Sequence, residues 1–116
     1  MKKDWSTIRE RYLRDDIPVR LGGLAANLSR IKSFANNEKN KTLVESLIDE
    51  SKHFIEWTAR ETEIEIAAKL VELQVELALW QIRLDKTWLD TDQRKQISEK
   101  SNNWSQQILM ASGLLG

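Results

Sequence analysis

The stretch Ile64–Leu89, IEIAAKLVELQVELALWQIRLDKTWL, decides how the rest of the chain must be arranged. One line of apolar residues runs through Ile66, Leu70, Leu73, Leu77, Trp80, Leu84 and Trp88. Its spacings of four and three keep these residues on one face of an α-helix. A second line, Ile64, Val71, Val75, Ala78, Ile82 and Leu89, lies more than about a third of a turn away at 3.6 residues per turn. Glu65, Lys69, Glu72, Glu76 and Arg83 follow a third line, expected to face water. A surface helix needs only one apolar stripe. Two stripes therefore predict a central helix with packed neighbours on both sides, supplied by this chain or by a second copy of it.

The totals around that helix are those of one modest globular unit. At 116 residues the chain fits a single domain, 1–116, with a core of limited size. Hydrophobic residues at 41% and charged residues at 31% place it among ordered soluble proteins rather than disordered ones. Four glycines and one proline are too few for the turns of an all-β fold. The absence of cysteine removes disulfides, thiolate metal sites and a cysteine nucleophile, and fits a cytoplasmic location. Charges interrupt every apolar run well short of the roughly 20 residues of a membrane span. The opening MKKDWSTIRERYLRDD is too charged for a secretory signal. The expectation is a soluble, cytoplasmic protein without a membrane partner.

Net charge is zero but unevenly distributed. Residues 1–41 carry ten Lys/Arg against five Asp/Glu, and residues 42–78 carry three against nine. Basic and acidic helices lying side by side account for this. The basic residues form no dense run, which argues against nucleic acid as a partner.

The other helices follow in order. Asp4 can cap a short helix from Trp5 to about Asp15, with Trp5, Ile8 and Tyr12 on one side, which would cover part of the core. Asp16-Ile17-Pro18 reads as a helix start, the carboxylate accepting free backbone N–H groups and Pro sitting in the first turn. That helix should run to about residue 36 on a core stripe of Ile17, Leu21, Leu24, Leu28, Ile31 and Ala35. Gly22, Ala26, Ser29 and Ser33 form a second, smooth line upon it. Glycine inside a helix costs roughly 1 kcal/mol relative to Ala, and close approach of another helix would offset it. Asn36–Asn40 reads as a loop, and a third helix is expected over 41–58 with Leu43, Val44, Leu47, Ile48, Ser51, Phe54 and Ile55 buried. Trp57–Thr62 contains no Gly, Pro or Asn, yet an unbroken helix from 41 to 89 would reach about 70 Å at 1.5 Å per residue. A break near 58–62 is expected, with Thr58/Glu61 or Thr62/Glu65 as a capping box; one long helix would survive only under a second chain. A last helix over 91–112 starts at Asp90 or Thr91 and stops at Gly113, with Ile97, Ser101, Trp104, Ile108, Ala111 and Leu115 as a narrow stripe.

Few residues carry recognisable chemistry. His53, the only histidine, falls opposite its helix's core arc, between Asp49 and Glu56. An exposed histidine on a helical bundle resembles phosphotransfer proteins, which would make His53 a phosphoacceptor. Their motif places Lys and Gly shortly after the histidine, where this chain has Phe54, Ile55, Glu56 and Trp57. Glu50 and His53 also have the Glu-x-x-His spacing of ferritin-like di-iron bundles, but such a site needs two of these motifs and one histidine cannot supply them. Gln74, Gln81 and Asp85 form a polar cluster between the two apolar lines of the central helix. If covered, their amides need partners such as Arg20, Arg30 or Asn27, because an unpaired buried polar group costs about 1–3 kcal/mol. They would then form a register-fixing network, a half-exposed seam or a small-ligand site. Of the five tryptophans, Trp80, Trp88 and Trp104 fall on core stripes, Trp57 near an edge and Trp5 in the covering segment. Exposed members would mark a partner surface. Glycine-rich phosphate loops, Gly-x-Ser-x-Gly elbows and Ser/His/Asp arrangements are missing, so no cofactor, metal or catalytic site is expected.

These readings converge on an all-α fold, an antiparallel up-and-down four-helix bundle (17–36, 41–58, 62–89, 91–112) with a short extra N-terminal helix. Surplus apolar surface on the central helix and the smooth line on the second predict a non-enzymatic interaction or scaffold module. It is expected to be a homo-oligomer, a dimer first, or else to bind another protein. The candidate interface is Gly22, Ala26, Ser29, Ser33, Val71, Val75 and Ile82.

Overall fold

A computed structural model of the chain describes residues 3–114. They form five α-helices: α1 (Trp5–Leu13), α2 (Ile17–Phe34), α3 (Lys41–Thr58), α4 (Ile64–Thr87) and α5 (Thr91–Ser112). Single 3₁₀ turns, Glu38–Asn40 and Ala59–Glu61, lead into α3 and α4. The fold is all-α, with four longer helices preceded by a short one, as the periodicity predicts.

The helix ends show which local signals act. Asp4 accepts from the Thr7 amide (3.2 Å), and Asp90 accepts from the amides of Asp92 and Gln93 (2.9 and 3.3 Å). Gly113 stops α5 in the left-handed region at φ 78°, where a side chain would be strained. Asp16 occupies the N-cap of α2 but makes no side-chain bond, so the cap expected there does not form. The break between α3 and α4 is present, yet neither capping box makes it. Glu63 is the N-cap without a side-chain bond, and the Thr62 hydroxyl donates to the Ala59 carbonyl instead. The turn is held from outside by Arg20, which is buried. Its Nη1 donates to Glu61 (2.5 Å), while its Nε and Nη2 reach the carbonyls of Asp15 and Leu13 (2.8 and 3.3 Å). One side chain thus pins the α1–α2 and α3–α4 turns together.

Side-chain bonds fix the directions of the four longer helices. Along α2 and α3, Asn27 meets Glu50 and Phe34 meets Asn40. Along α2 and α5, the hydroxyls of Ser98 and Ser105 donate to the carbonyls of Lys32 and Ala25 (2.9 and 2.8 Å). Along α3 and α4, Lys41 meets Asp85 and Lys52 meets Gln81. In each pair numbers rise on one helix as they fall on the other, so these neighbours are antiparallel. The order around the ring is α2, α3, α4, α5. Among the described residues no seam joins α2 to α4 or α3 to α5, so α2 and α4 stand at opposite corners.

The core runs down the ring axis. Leu70, Leu73, Leu77, Trp80, Leu84 and Trp88 are buried on α4 against Leu21, Leu24, Leu28 and Ile31 of α2 and the apolar arcs of α3 and α5. The second line of α4 does not enter it. Val71, Val75 and Ile82 are 54%, 57% and 77% exposed, with Ile64 and Leu89 barer still. The expectation that this chain sandwiches α4 is therefore wrong. The two lines stand roughly 145° apart at 100° per residue. Two bundle neighbours, each beside the inward face, cannot reach a line pointing the opposite way. Glu76 also departs from expectation. It accepts from Trp104 Nε1 (3.1 Å) and pairs with Lys100 (3.7 Å), placing it in the α4–α5 seam rather than in open water.

The stripe read for α5 is correct at Ile97, Ser101 and Ile108; its last member, Leu115, lies outside the described residues. It misses Ser98, Ser105 and Ser112, which with Ser101 form a row of small side chains along the face of α5 that lies closest to α2.

Candidate interaction surface

Among the described residues, the outer face of α4 carries the longest row of exposed apolar side chains. Ile64, Ala68, Val71, Val75, Ala78 and Ile82 follow one another at spacings of four, three, four, three and four, with Leu89 in the turn beyond. This is the period with which one helix presents a seam to another. All are exposed except Ala78, which is half-buried, and Leu79 lies exposed at the margin. The line runs the length of α4, about 36 Å at 1.5 Å per residue, which is nearly the whole 37 Å long dimension of the molecule. Sequence reading places Val71, Val75 and Ile82 on it and overlooks Ala68. The signal for Ala68 is the missing step of four and three between Ile64 and Val71.

Polar residues border this face because α3 and α5 meet α4 there. Gln74 Nε2 donates to the Lys52 carbonyl (3.3 Å), Gln81 Oε1 accepts from Lys52 Nζ (2.8 Å), and Asp85 pairs with Lys41. The hydrogen bond to Asp85 raises the Lys41 pKa above the ordinary lysine value. The three side chains form a half-exposed seam, Gln74 half-buried and Gln81 and Asp85 exposed. A buried network does not form, and its suggested partners are engaged elsewhere. Asn27 donates to Glu50 and accepts from Arg30, and Arg20 holds the turns described above. The physical reason is position: those residues belong to α2, across the diagonal from α4.

The seven residues read as a candidate interface do not come together either. Gly22 is half-buried, and a Cβ added to it would stand 2.7 Å from Leu114 Cδ1, so that glycine already serves packing within the chain. Ala26, Ser29 and Ser33 are exposed on the outer face of α2. Val71, Val75 and Ile82 are exposed on α4 at the opposite corner. One flat partner can cover only one of these groups.

His53 is less open than its wheel position implies. The Trp5 ring stacks on it with centroids 3.8 Å apart and planes within 10°, and Trp57 lies 5.5 Å away. Its Nδ1 sits 2.8 Å from the Asp49 carbonyl oxygen, which assigns the Nδ1 proton to that bond. The histidine thus helps to seat α1 on α3. Tyr12 does the same further along, stacked on Phe54 at 4.0 Å and donating to the Arg20 carbonyl (2.7 Å). Burial pushes its phenol up to about 12. All five tryptophans are buried or half-buried, so none marks an open partner surface. Among the described residues no three His, Asp or Glu side chains group to hold a metal, and no helix is long and apolar enough to cross a membrane.

Comparison with family models, with curated proteins and with solved structures gives no match to this chain.

Proposed function

We propose that this protein is a non-enzymatic helical interaction module that self-associates through the outer face of α4. The observation that carries the reading is the exposed row of Ile64, Val71, Val75 and Ile82, at helix-pairing period and bordered by polar residues. Surface apolar residues scattered singly need no explanation, but a contiguous band along a whole helix does. A second copy fits as the occupant because both charge signs border the band. Glu65 and Glu72 lie toward one end and Lys86 toward the other, so the band complements itself when turned end to end. Fully burying a Val or Ile contributes about 1.5–3 kcal/mol. These side chains are already partly covered, and association costs on the order of 4–15 kcal/mol. The balance favours a weak, micromolar pair over an obligate one.

The test is sedimentation equilibrium across roughly micromolar to hundreds of micromolar protein, with Val71→Glu/Ile82→Glu beside the unaltered chain. The unaltered chain should shift from monomer to dimer over this range, and the variant should remain monomeric with the same helical circular dichroism. A unaltered chain that stays monomeric throughout defeats the reading.

A further inference from the structure

We infer that the second copy docks antiparallel, α4 against α4, about a dyad midway between Glu76 and Leu77, with Glu65 of each copy facing Lys86 of the other. This rests on the self-association reading above and adds its orientation and register. The exposed seam is close to palindromic about that point. Counting outward from it, Val75 mirrors Ala78, Val71 mirrors Ile82, Ala68 mirrors Asp85, and Ile64 mirrors Leu89. Antiparallel pairing sets each seam residue against its mirror, so the larger side chains Ile64 with Leu89, and Val71 with Ile82, share layers. The one charge in the row, Asp85, which is held by Lys41, falls opposite an alanine.

The flanks agree with the same register. On one edge of the seam stand Glu65, Glu72, Leu79 and Lys86; on the other stand Gln74 and Gln81. A dyad perpendicular to the helices keeps each edge against its own kind. Flanking positions pair two residues off their mirrors, so Glu65 meets Lys86, Glu72 meets Leu79, and Gln74 meets Gln81, each twice by symmetry. Antiparallel helices also set opposite ends of their dipoles side by side. A parallel pair would put Ala78 on Ala78 and Asp85 on Asp85 within the seam, placing two carboxylates together.

The chain has no cysteine, so cross-linking reports only the thiols introduced. Glu65→Cys and Lys86→Cys are prepared separately, each treated with a short bismaleimide at a concentration where sedimentation reads dimer, alone and mixed. Positions 65 and 86 are about 30 Å apart along the helix at 1.5 Å per residue, beyond the reagent's reach within one chain. Cross-linked dimer in the mixture, and little in either variant alone, supports the antiparallel register. Self-linking of each variant alone, with no gain on mixing, overturns it in favour of a parallel pair. Sedimentation as a dimer with no cross-link in any sample overturns it by showing that another face is used. Sedimentation as a monomer throughout defeats the underlying self-association reading instead. As an independent check, Glu65→Lys should weaken dimerisation a few-fold, and Glu65→Lys/Lys86→Glu should restore it; failure of the pair to restore counts against the register.

Discussion

The helices α2 and α4 occupy opposite corners of the same ring, and they are fastened in opposite ways. Polar bonds to its own backbone tie down α2: Ser98 and Ser105 reach its carbonyls from α5, and Tyr12 reaches another from α1. Small side chains at that seam let α5 approach closely, and the outer surface of α2 carries Ala26, Ser29 and Ser33 among charged residues, with Val19 its one exposed large apolar side chain. On the core side, α4 is held by a row of buried leucines and tryptophans, and its outer surface is apolar. A helix can therefore be central to the sequence pattern without being central in space. The surplus that distinguishes α4 is spent outside the fold, which is why the intermolecular reading falls on α4 and not on α2.

The sharpest way to break that contrast is to truncate each stripe of α4 in turn. Leu77→Ala should cost about 2–5 kcal/mol of unfolding free energy, as for other buried leucines. Ile82→Ala should cost under about 0.5 kcal/mol in the monomer. Urea titration at sub-micromolar protein separates the two, and equal losses would mean that the outer stripe is covered within the chain.

The fastening of α2 can be probed through pH, because Tyr12 is the only tyrosine. Its phenol is raised to about 12 in the fold, burial being the main cause, against 10.0 for an ordinary tyrosine. An unfolded chain loses that proton more readily, so the contribution is intact below pH 10 and is lost as pH rises through 12. The full loss should be on the order of 3 kcal/mol, at 1.36 kcal/mol per pKa unit. Denaturation midpoints at pH 9 and 11.5 read most of it, and Tyr12→Phe should shrink the difference by that amount, leaving the part due to other groups such as Lys41, whose raised pKa acts in the same window. An undiminished slope in the variant would place its origin elsewhere.

The smallest effect lies within the α2–α5 seam itself. Ser98 donates to α2, whereas the Ser101 hydroxyl is buried with no hydrogen-bond partner among the described residues. Ser98→Ala should cost about 0.5–1.5 kcal/mol, and Ser101→Ala should be neutral or stabilising by up to about 1 kcal/mol. Thermal unfolding of the two variants checks the sign, and a loss at Ser101 as large as at Ser98 would show that its hydroxyl has a partner after all.

Much of this was legible in the residues. Helical period set the number of helices and the inward stripe of α4, because burial on one face demands a repeat near 3.6 whatever the neighbours are. Gly113 and Asp90 announced their ends through backbone chemistry confined to a few residues. The break at 59–61 followed from length alone, but its fastener did not: Arg20 lies forty-one residues from Glu61, and nothing in either neighbourhood points to the other. The roles of Ser98 and Ser105 on α5 were likewise invisible, since hydropathy gives little weight to a hydroxyl that donates to a carbonyl on another helix. The candidate interface combined residues of α2 and α4 because each line looked unsatisfied in its own helix.

Period and composition alone thus determined that this chain is a set of amphipathic helices and that one of them carries more apolar surface than a single face needs. Only the tertiary structure decided where that surplus points. Direction depends on which helices become neighbours and which stand on the diagonal, and that order is a property of the closed ring rather than of any one helix.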